Sequence, residues 1–380
     1  MIATQKEKGN RPSFVTFCLI LSILFISSIS CRSHRTFAEF TKDDCDCYNR
    51  KKEGYTFKVD AHCHFRPFGG EAIPYPELVK YFERSGVLFV NVFGIGQKLP
   101  PDSPCTYYLD CPGTDVTPSL SNDFINAANS LDYYKEHVSE EKTVNFVLSM
   151  TFPDLANPEP VIDQIRLFDK EYPGMFSWMG EVNLVKQALL PNGHEKADLK
   201  DIAQWAEFMD TLRVRDIPIN IHCDLGNDDD PTAFLYLMEK TLEIYPDNKI
   251  VWSHMGLSRE LTSIDPDKHI KILADLLDKY PKLWIDLSWD VLWDSVFFKE
   301  EIRAKYISFI NAYPTRFLTG TDFVASSNKT YKDYKQALEK TSYLNLDMND
   351  EAFRYIALGE NYFRLLNLPY KAPEVCPAKK

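Results

Sequence analysis

No segment of this sequence is strongly basic. Its 43 lysines and arginines stand against 55 acidic residues, for a formal net charge of −12. A chain of that sign repels a phosphate backbone, which argues against nucleic acid as a partner. Glycine is scarce as well, 15 residues in 380. With prolines scattered and no repeat of fixed period, collagen-like, low-complexity and repeat architectures drop out. The pair Gly94-Ile95-Gly96 has Leu99 where a dinucleotide fingerprint places its third glycine. No GxSxG elbow, GxxxxGK loop, HExxH helix or double CxxC zinc pattern occurs, so flavin, nicotinamide, ATP and serine-hydrolase chemistries have no support. Beyond residue 30, no stretch approaches the roughly 18 apolar residues needed to cross a bilayer.

What is present is a core-forming composition, 44% hydrophobic. Near the start, Phe14 to Ser30 carries no charge and follows Lys6, Lys8 and Arg11, the layout of a secretory signal over residues 1–30. The chain is therefore expected to be exported, to a periplasmic or membrane-anchored position. Lipidation at Cys31, an uncleaved anchor and simple cleavage stay open, and any membrane contact runs through this end alone. Such a compartment permits disulfides. Cys105 and Cys111 flank a short Tyr-rich segment, and Cys45 or Cys47 could reach Cys376.

Residues 31–54 read as a charged tether or surface extension. Residues 55–370 then read as one catalytic domain. Short apolar runs predict eight strands, at 56–64, 87–93, 144–151, 176–182, 217–223, 250–254, 283–288 and 317–322. Between them lie amphipathic segments that open on Asp, Pro or Asn, the signature of helix starts. Regular alternation of strand and helix makes a parallel sheet, and eight units favour an α/β fold of the (β/α)8 TIM-barrel type.

Polar residues punctuate the strand ends. Alternation along the first strand puts His62 and His64 on one face and Cys63 on the other. Later strands end in Glu181, His222, His254 and Asp322. In a parallel barrel these ends share one rim, where barrel enzymes place their chemistry. Four of the eight histidines fall there, whereas His34, His137, His194 and His269 read as solvated surface. Imidazoles and carboxylates gathered this way suit zinc or a similar divalent transition metal, with one or two ions. Arg66 and Arg259 follow His64 and His254 into loops at the same mouth and could clamp a substrate carboxylate. Trp289 and Trp293 could wall it. Cys63 and Cys223 read as inert core thiols, and Asp228-Asp229-Asp230 as a solvated run.

At these residues the sequence resembles the amidohydrolase superfamily, and within it the amidohydrolase-related, TIM-barrel metal-dependent hydrolases, on its HCHF, IHCD, SHMG and GTDF contexts. The departure is Glu181, where many binuclear members carry a carbamylated lysine; Lys186 lies close by. The resemblance implies that His62, His64 and Asp322 hold one metal and His222 and His254 a second, with Glu181 between them. A one-metal variant would leave His254 to polarise the substrate carbonyl. Asp322 would shuttle the proton of the attacking water. The function implied is hydrolysis of an amide, ester, lactone or related bond of a small, carboxylate-bearing molecule. The alternatives are a nonoxidative decarboxylase on the same barrel and an exported binding protein without turnover.

Overall fold

A computed structural model describes residues 34–42 and 46–377. The signal-like run, Cys31 and Cys45 lie outside the described residues. Strands form where apolar runs predict them: β1 (Val59–His64), β2 (Phe89–Phe93), β3 (Asn145–Met150), β4 (Phe176–Val185), β5 (Ile219–Cys223), β6 (Ile250–Trp252) and β7 (Leu283–Asp286). Their residues are almost all buried, as expected of a parallel sheet covered on both faces. The last predicted strand is interrupted, giving β8 (Phe317–Leu318) and β9 (Phe323–Val324).

All nine pieces belong to one parallel sheet, in the order β8-β7-β6-β5-β4-β3-β2-β1-β9. Since β8 borders β7 and β9 borders β1, the sheet curls until only Thr319-Gly320-Thr321-Asp322 separates its two edges. That link lies close against β1. A Cβ on Gly320 would sit 2.6 Å from the His62 backbone nitrogen and 2.8 Å from its Cβ, so no larger residue fits without moving a site histidine. Asp60 fastens the link by accepting hydrogen bonds from the Thr321 amide and hydroxyl, both at 2.8 Å, and from the Tyr334 hydroxyl at 3.1 Å. Burial pushes the pKa of the Asp60 carboxyl up to about 7, against the pull of those donors.

Helices fill the predicted gaps between strands, for example Tyr75–Ser85, Leu120–Glu136, Val161–Glu171 and Pro266–Lys279. Their ends carry the expected signals: Asp265 caps the Lys268 amide, and Gly86 ends its helix in the left-handed region. A helical turn over 290–297, which the sequence pattern does not announce, follows β7. Among the described residues no helix is long and apolar enough to cross a membrane.

The segment ahead of β1 packs rather than hanging free. Phe37, Phe40 and Tyr48 are buried, with Phe37 against Phe89 at the start of β2 and Tyr48 against Phe353. Cys47 is bonded to Cys376 and Cys105 to Cys111, the pairings left open by the sequence. Cys63 and Cys223 are buried free thiols. Two histidines read as solvated are not. His269 is fully buried between the Tyr306 hydroxyl at 2.7 Å and the Met255 carbonyl at 3.0 Å, and His194 is also buried. Burial pushes the pKa of both down to about 4. The partners of His269 lie 37 and 14 residues away, where composition gives no sign of them, and His194 Nε2 is buried with no hydrogen-bond partner.

Candidate metal centre

Six side chains predicted from the strand ends converge. His62 and His64 leave β1, Glu181 stands inside β4, His222 near the end of β5, His254 just after β6, and Asp322 in the link before β9. They form three overlapping groups whose ligand atoms lie within 4.8 Å of one another: His62, His64 and Glu181; His62, His254 and Asp322; and Glu181, His222 and His254. His254, Asp322 and the neighbouring Trp289 hold φ angles of 55°, 52° and 90°. Residues with side chains seldom adopt such angles, and backbone strain of this kind clusters at functional sites.

The outer nitrogens show which way each imidazole faces. His62 Nδ1 donates to Asp286 at 2.7 Å, and His64 Nδ1 donates to the Gly94 carbonyl at 2.5 Å. His254 Nδ1 donates to the Ser288 carbonyl at 3.2 Å. Each therefore turns a bare Nε2 inward. The Nε2 atoms of His62 and His64 lie 3.2 Å apart, with Asp322 Oδ1 at 3.4 and 3.2 Å from them. His222 has a carboxylate at both nitrogens, Asp224 at 2.9 Å and Glu181 at 2.6 Å, more than a neutral ring can satisfy with one proton. Glu181 spans the cluster: one oxygen faces His222 and His254, the other His64 at 3.6 Å and Lys186 at 3.5 Å.

Lone pairs that face one another require positive charge between them. Burial acts to lower the pKa of His64 and His222, yet both are raised: Asp322 and Glu181 prevail at His64, Glu181 and Asp224 at His222 despite Lys186. Burial likewise works against the Asp322 charge, but the neighbouring histidines hold its carboxyl well below the usual range. Nitrogen and oxygen donors held in this way fit a divalent metal of zinc type.

Asp286 and Asp224 carry no signal of their own in the sequence. Each resembles any acid beside a strand until the fold puts it behind a histidine. Asp286 also accepts the Ser288 amide and hydroxyl at 2.8 and 2.7 Å, which fixes its rotamer. Replacing Asp286 with Asn is expected to weaken metal binding about 10- to 100-fold, read by competition with a chelator; unaltered affinity would deny it that orienting role. Gly94, dismissed as a nucleotide motif, serves the site differently. A Cβ there would collide with the Asp123 carboxylate and the Thr151 hydroxyl, so glycine lets its carbonyl approach His64.

A cavity of about 300 Å³ opens above the cluster, lined by His64, His222, His254 and Asp322. Phe68, Tyr107 and Tyr108 form one wall, with both tyrosines inside the Cys105–Cys111 loop. Trp289 forms another wall, its ring 5.1 Å from that of His254, and the Arg259 guanidinium lies 5.1 Å from the Trp289 ring centre. Arg66 does not line the cavity, and its Nε is buried without a hydrogen-bond partner. The chain turns it away within the loop after β1, and the cavity's cations are Lys186, Arg259 and Lys329. Trp293 packs on Tyr343 instead of facing the cavity. Asp228, in the acidic run, pins Thr262 and Ser263 through their amides and hydroxyls.

Comparison with known proteins identifies the family of the chain. A model of the amidohydrolase family matches residues 146–366. No curated protein matches the sequence. Among solved structures, dihydroorotase from Campylobacter jejuni is 14% identical, with a TM-score of 0.50 over 83% of this chain and 85% of that one. A zinc-bound amidohydrolase from Burkholderia multivorans is also 14% identical, with a TM-score of 0.48 over 82% of this chain and 100% of that one. A dihydroorotase from Saccharomyces cerevisiae in complex with 5-fluoroorotic acid is 13% identical, with a TM-score of 0.47 over 82% and 84%. Matched over more than half its length, the chain belongs to the amidohydrolase family and is an enzyme of the metal-dependent amidohydrolase type.

Proposed function

We propose that this enzyme hydrolyses an amide, ester, lactone or related bond of a small molecule, with His62, His64, Glu181, His222, His254 and Asp322 as its metal ligands. The observation that carries this reading is the set of inward-facing imidazole nitrogens and carboxylates at the floor of an open cavity. Glu181 supports a pair of ions rather than one, because its two oxygens face different histidines; a shared carboxylate of this kind favours hydrolysis over decarboxylation. When bound, the metal, zinc in this reading, would supply water acidified to a pKa of about 7 and polarise the scissile carbonyl.

The chain's own residues do the rest. Asp322 stands at the cavity with its carboxyl held ionised, ready to accept the proton of the attacking water and return it to the leaving group. Trp289, whose ring lies against His254, offers a flat apolar wall for the substrate body. Tyr107 and Tyr108, which also line the cavity, narrow the space and limit bulk water.

In the same reading the curled sheet is an eight-stranded (β/α)8 barrel whose last strand is split into β8 and β9, and residues 55–370 make up one domain. Export through residues 1–30, to a periplasmic or anchored position, is supported by the Cys47–Cys376 and Cys105–Cys111 bonds, which persist in oxidising compartments. Metal analysis of the purified protein, paired with a panel of esters, lactones and amides, tests the function. Close to two equivalents of metal and turnover of at least one class are expected. Metal-loaded protein that releases carbon dioxide from acids but cleaves none of the panel would overturn it.

A further inference from the structure

Three cations reach the cavity, and their counter-ions differ. Lys186 faces Glu181 at 3.5 Å. Arg259 is exposed and rests on Trp289, an ordinary state for a surface arginine. Lys329 is half-buried, its Nζ 4.9 Å from the Phe323 ring centre, and among the described residues its ammonium makes neither an ion pair nor a hydrogen bond.

The carboxylates around Lys329 are already engaged. Asp290 lies 3.8 Å from Lys340. Asp322 faces His62 and His64. Asp333 accepts the Thr330 amide at 2.7 Å and its hydroxyl at 2.8 Å, capping the next helix. A second polar group on the same loop is also unmatched. Ser326 is 4% exposed, lines the cavity, and its Oγ is buried with no partner. The Lys329 amide bonds the Ser326 carbonyl at 2.9 Å, a turn that keeps the two residues together. A half-buried ammonium and a buried hydroxyl without acceptors both carry a desolvation cost, which an entering anion would relieve.

We propose that Lys329 and Ser326, on the loop after β9, hold a carboxylate of the substrate, so that the enzyme selects small organic acids over neutral molecules of the same shape. This rests on the cavity being the substrate site of the hydrolase proposed above. It moves the acid-binding role from Arg66, which lies outside the cavity, to a loop seven residues beyond Asp322 in sequence, and leaves Arg259 at the mouth as a weaker, solvated contributor.

The test is binding of non-hydrolysable pairs to the metal-loaded protein by calorimetry: benzoate against benzyl alcohol, and glutarate against 1,5-pentanediol. In the wild type at least one acid should bind about tenfold or more tightly than its alcohol. Lys329→Gln should abolish that preference, Lys329→Arg should restore most of it, and Ser326→Ala should reduce it by a smaller factor, all with metal content unchanged. Wild-type protein without acid preference, or a preference that survives Lys329→Gln because the acids meet the metal directly, overturns the proposal. The two readings fail separately. A Lys329-dependent acid preference in a protein that cleaves no ester, lactone or amide would keep the acid site and discard hydrolysis; cleavage without acid preference would do the reverse.

Discussion

Asp322→Asn is expected to lower kcat by about 10³-fold while much of the bound metal is kept. The asparagine keeps the shape and one ligating oxygen, but it cannot take a proton from water at neutral pH. Positioned proton transfer contributes typically 10²–10⁴-fold, which sets the size of the loss. Metal should persist because His62 and His64 remain at 3.2 Å from each other, and Glu181, His222 and His254 form a group that does not include Asp322. Single-turnover kinetics alongside metal analysis separates the two roles. Loss of activity strictly in proportion to lost metal would reduce Asp322 to a ligand, and unchanged kcat would remove it from the chemistry.

The second large effect lies far from the site. Lys58→Met is expected to stabilise the protein by about 3 kcal/mol at pH 7, seen as a higher urea midpoint. Lys58 is 1% exposed, its Nζ has no hydrogen-bond partner, and the Tyr48 ring 5.8 Å away offers only a weak cation–π contact. Burial drives its pKa from 10.5 down to about 8, with Glu53 opposing and Arg35 adding to the shift. A depression of that size corresponds to about 3 kcal/mol of penalty for the buried charge. The sign follows from linkage: the unfolded chain holds the proton more tightly, so the penalty is complete below about pH 8 and fades as pH rises toward 10.5. The gap between variant and wild type should therefore narrow from pH 7 to pH 10. A variant less stable than the wild type at pH 7 would mean that Lys58 is satisfied in a way its neighbours do not reveal.

The strands and the clustered histidines and carboxylates were legible for the same reason. In a sheet covered on both faces the sequence is apolar almost throughout, so an imidazole or carboxylate at the end of a run stands out, as His62, Glu181 and His254 do. The split of the last strand was not legible, because Thr319 to Asp322 keep the composition of a strand while the backbone leaves the ladder there to press Gly320 on β1. Asp286 and Asp224 gain meaning only through the rings they hold, across 224 residues in one case and two in the other. Arg66 departs from the expectation because proximity to His64 in sequence does not fix the direction of a loop side chain. Lys329 stayed hidden because nothing about an isolated lysine in a polar loop tells that its neighbouring acids are committed elsewhere. His269 and His194 failed in the opposite sense, being buried where helix and loop patterns suggested water.

The way the chain enters its fold sets how the molecule can be attached to anything else. Phe37 meets the first residue of β2, and Cys47 is fastened to Cys376, whereas the cavity is built from residues at and beyond the far ends of the strands. The two therefore lie at opposite poles of the sheet. A bead or surface attached on the face that carries Phe37 and the Cys47–Cys376 bond would leave the entrance facing solution, which makes that face the natural handle for immobilising an active catalyst.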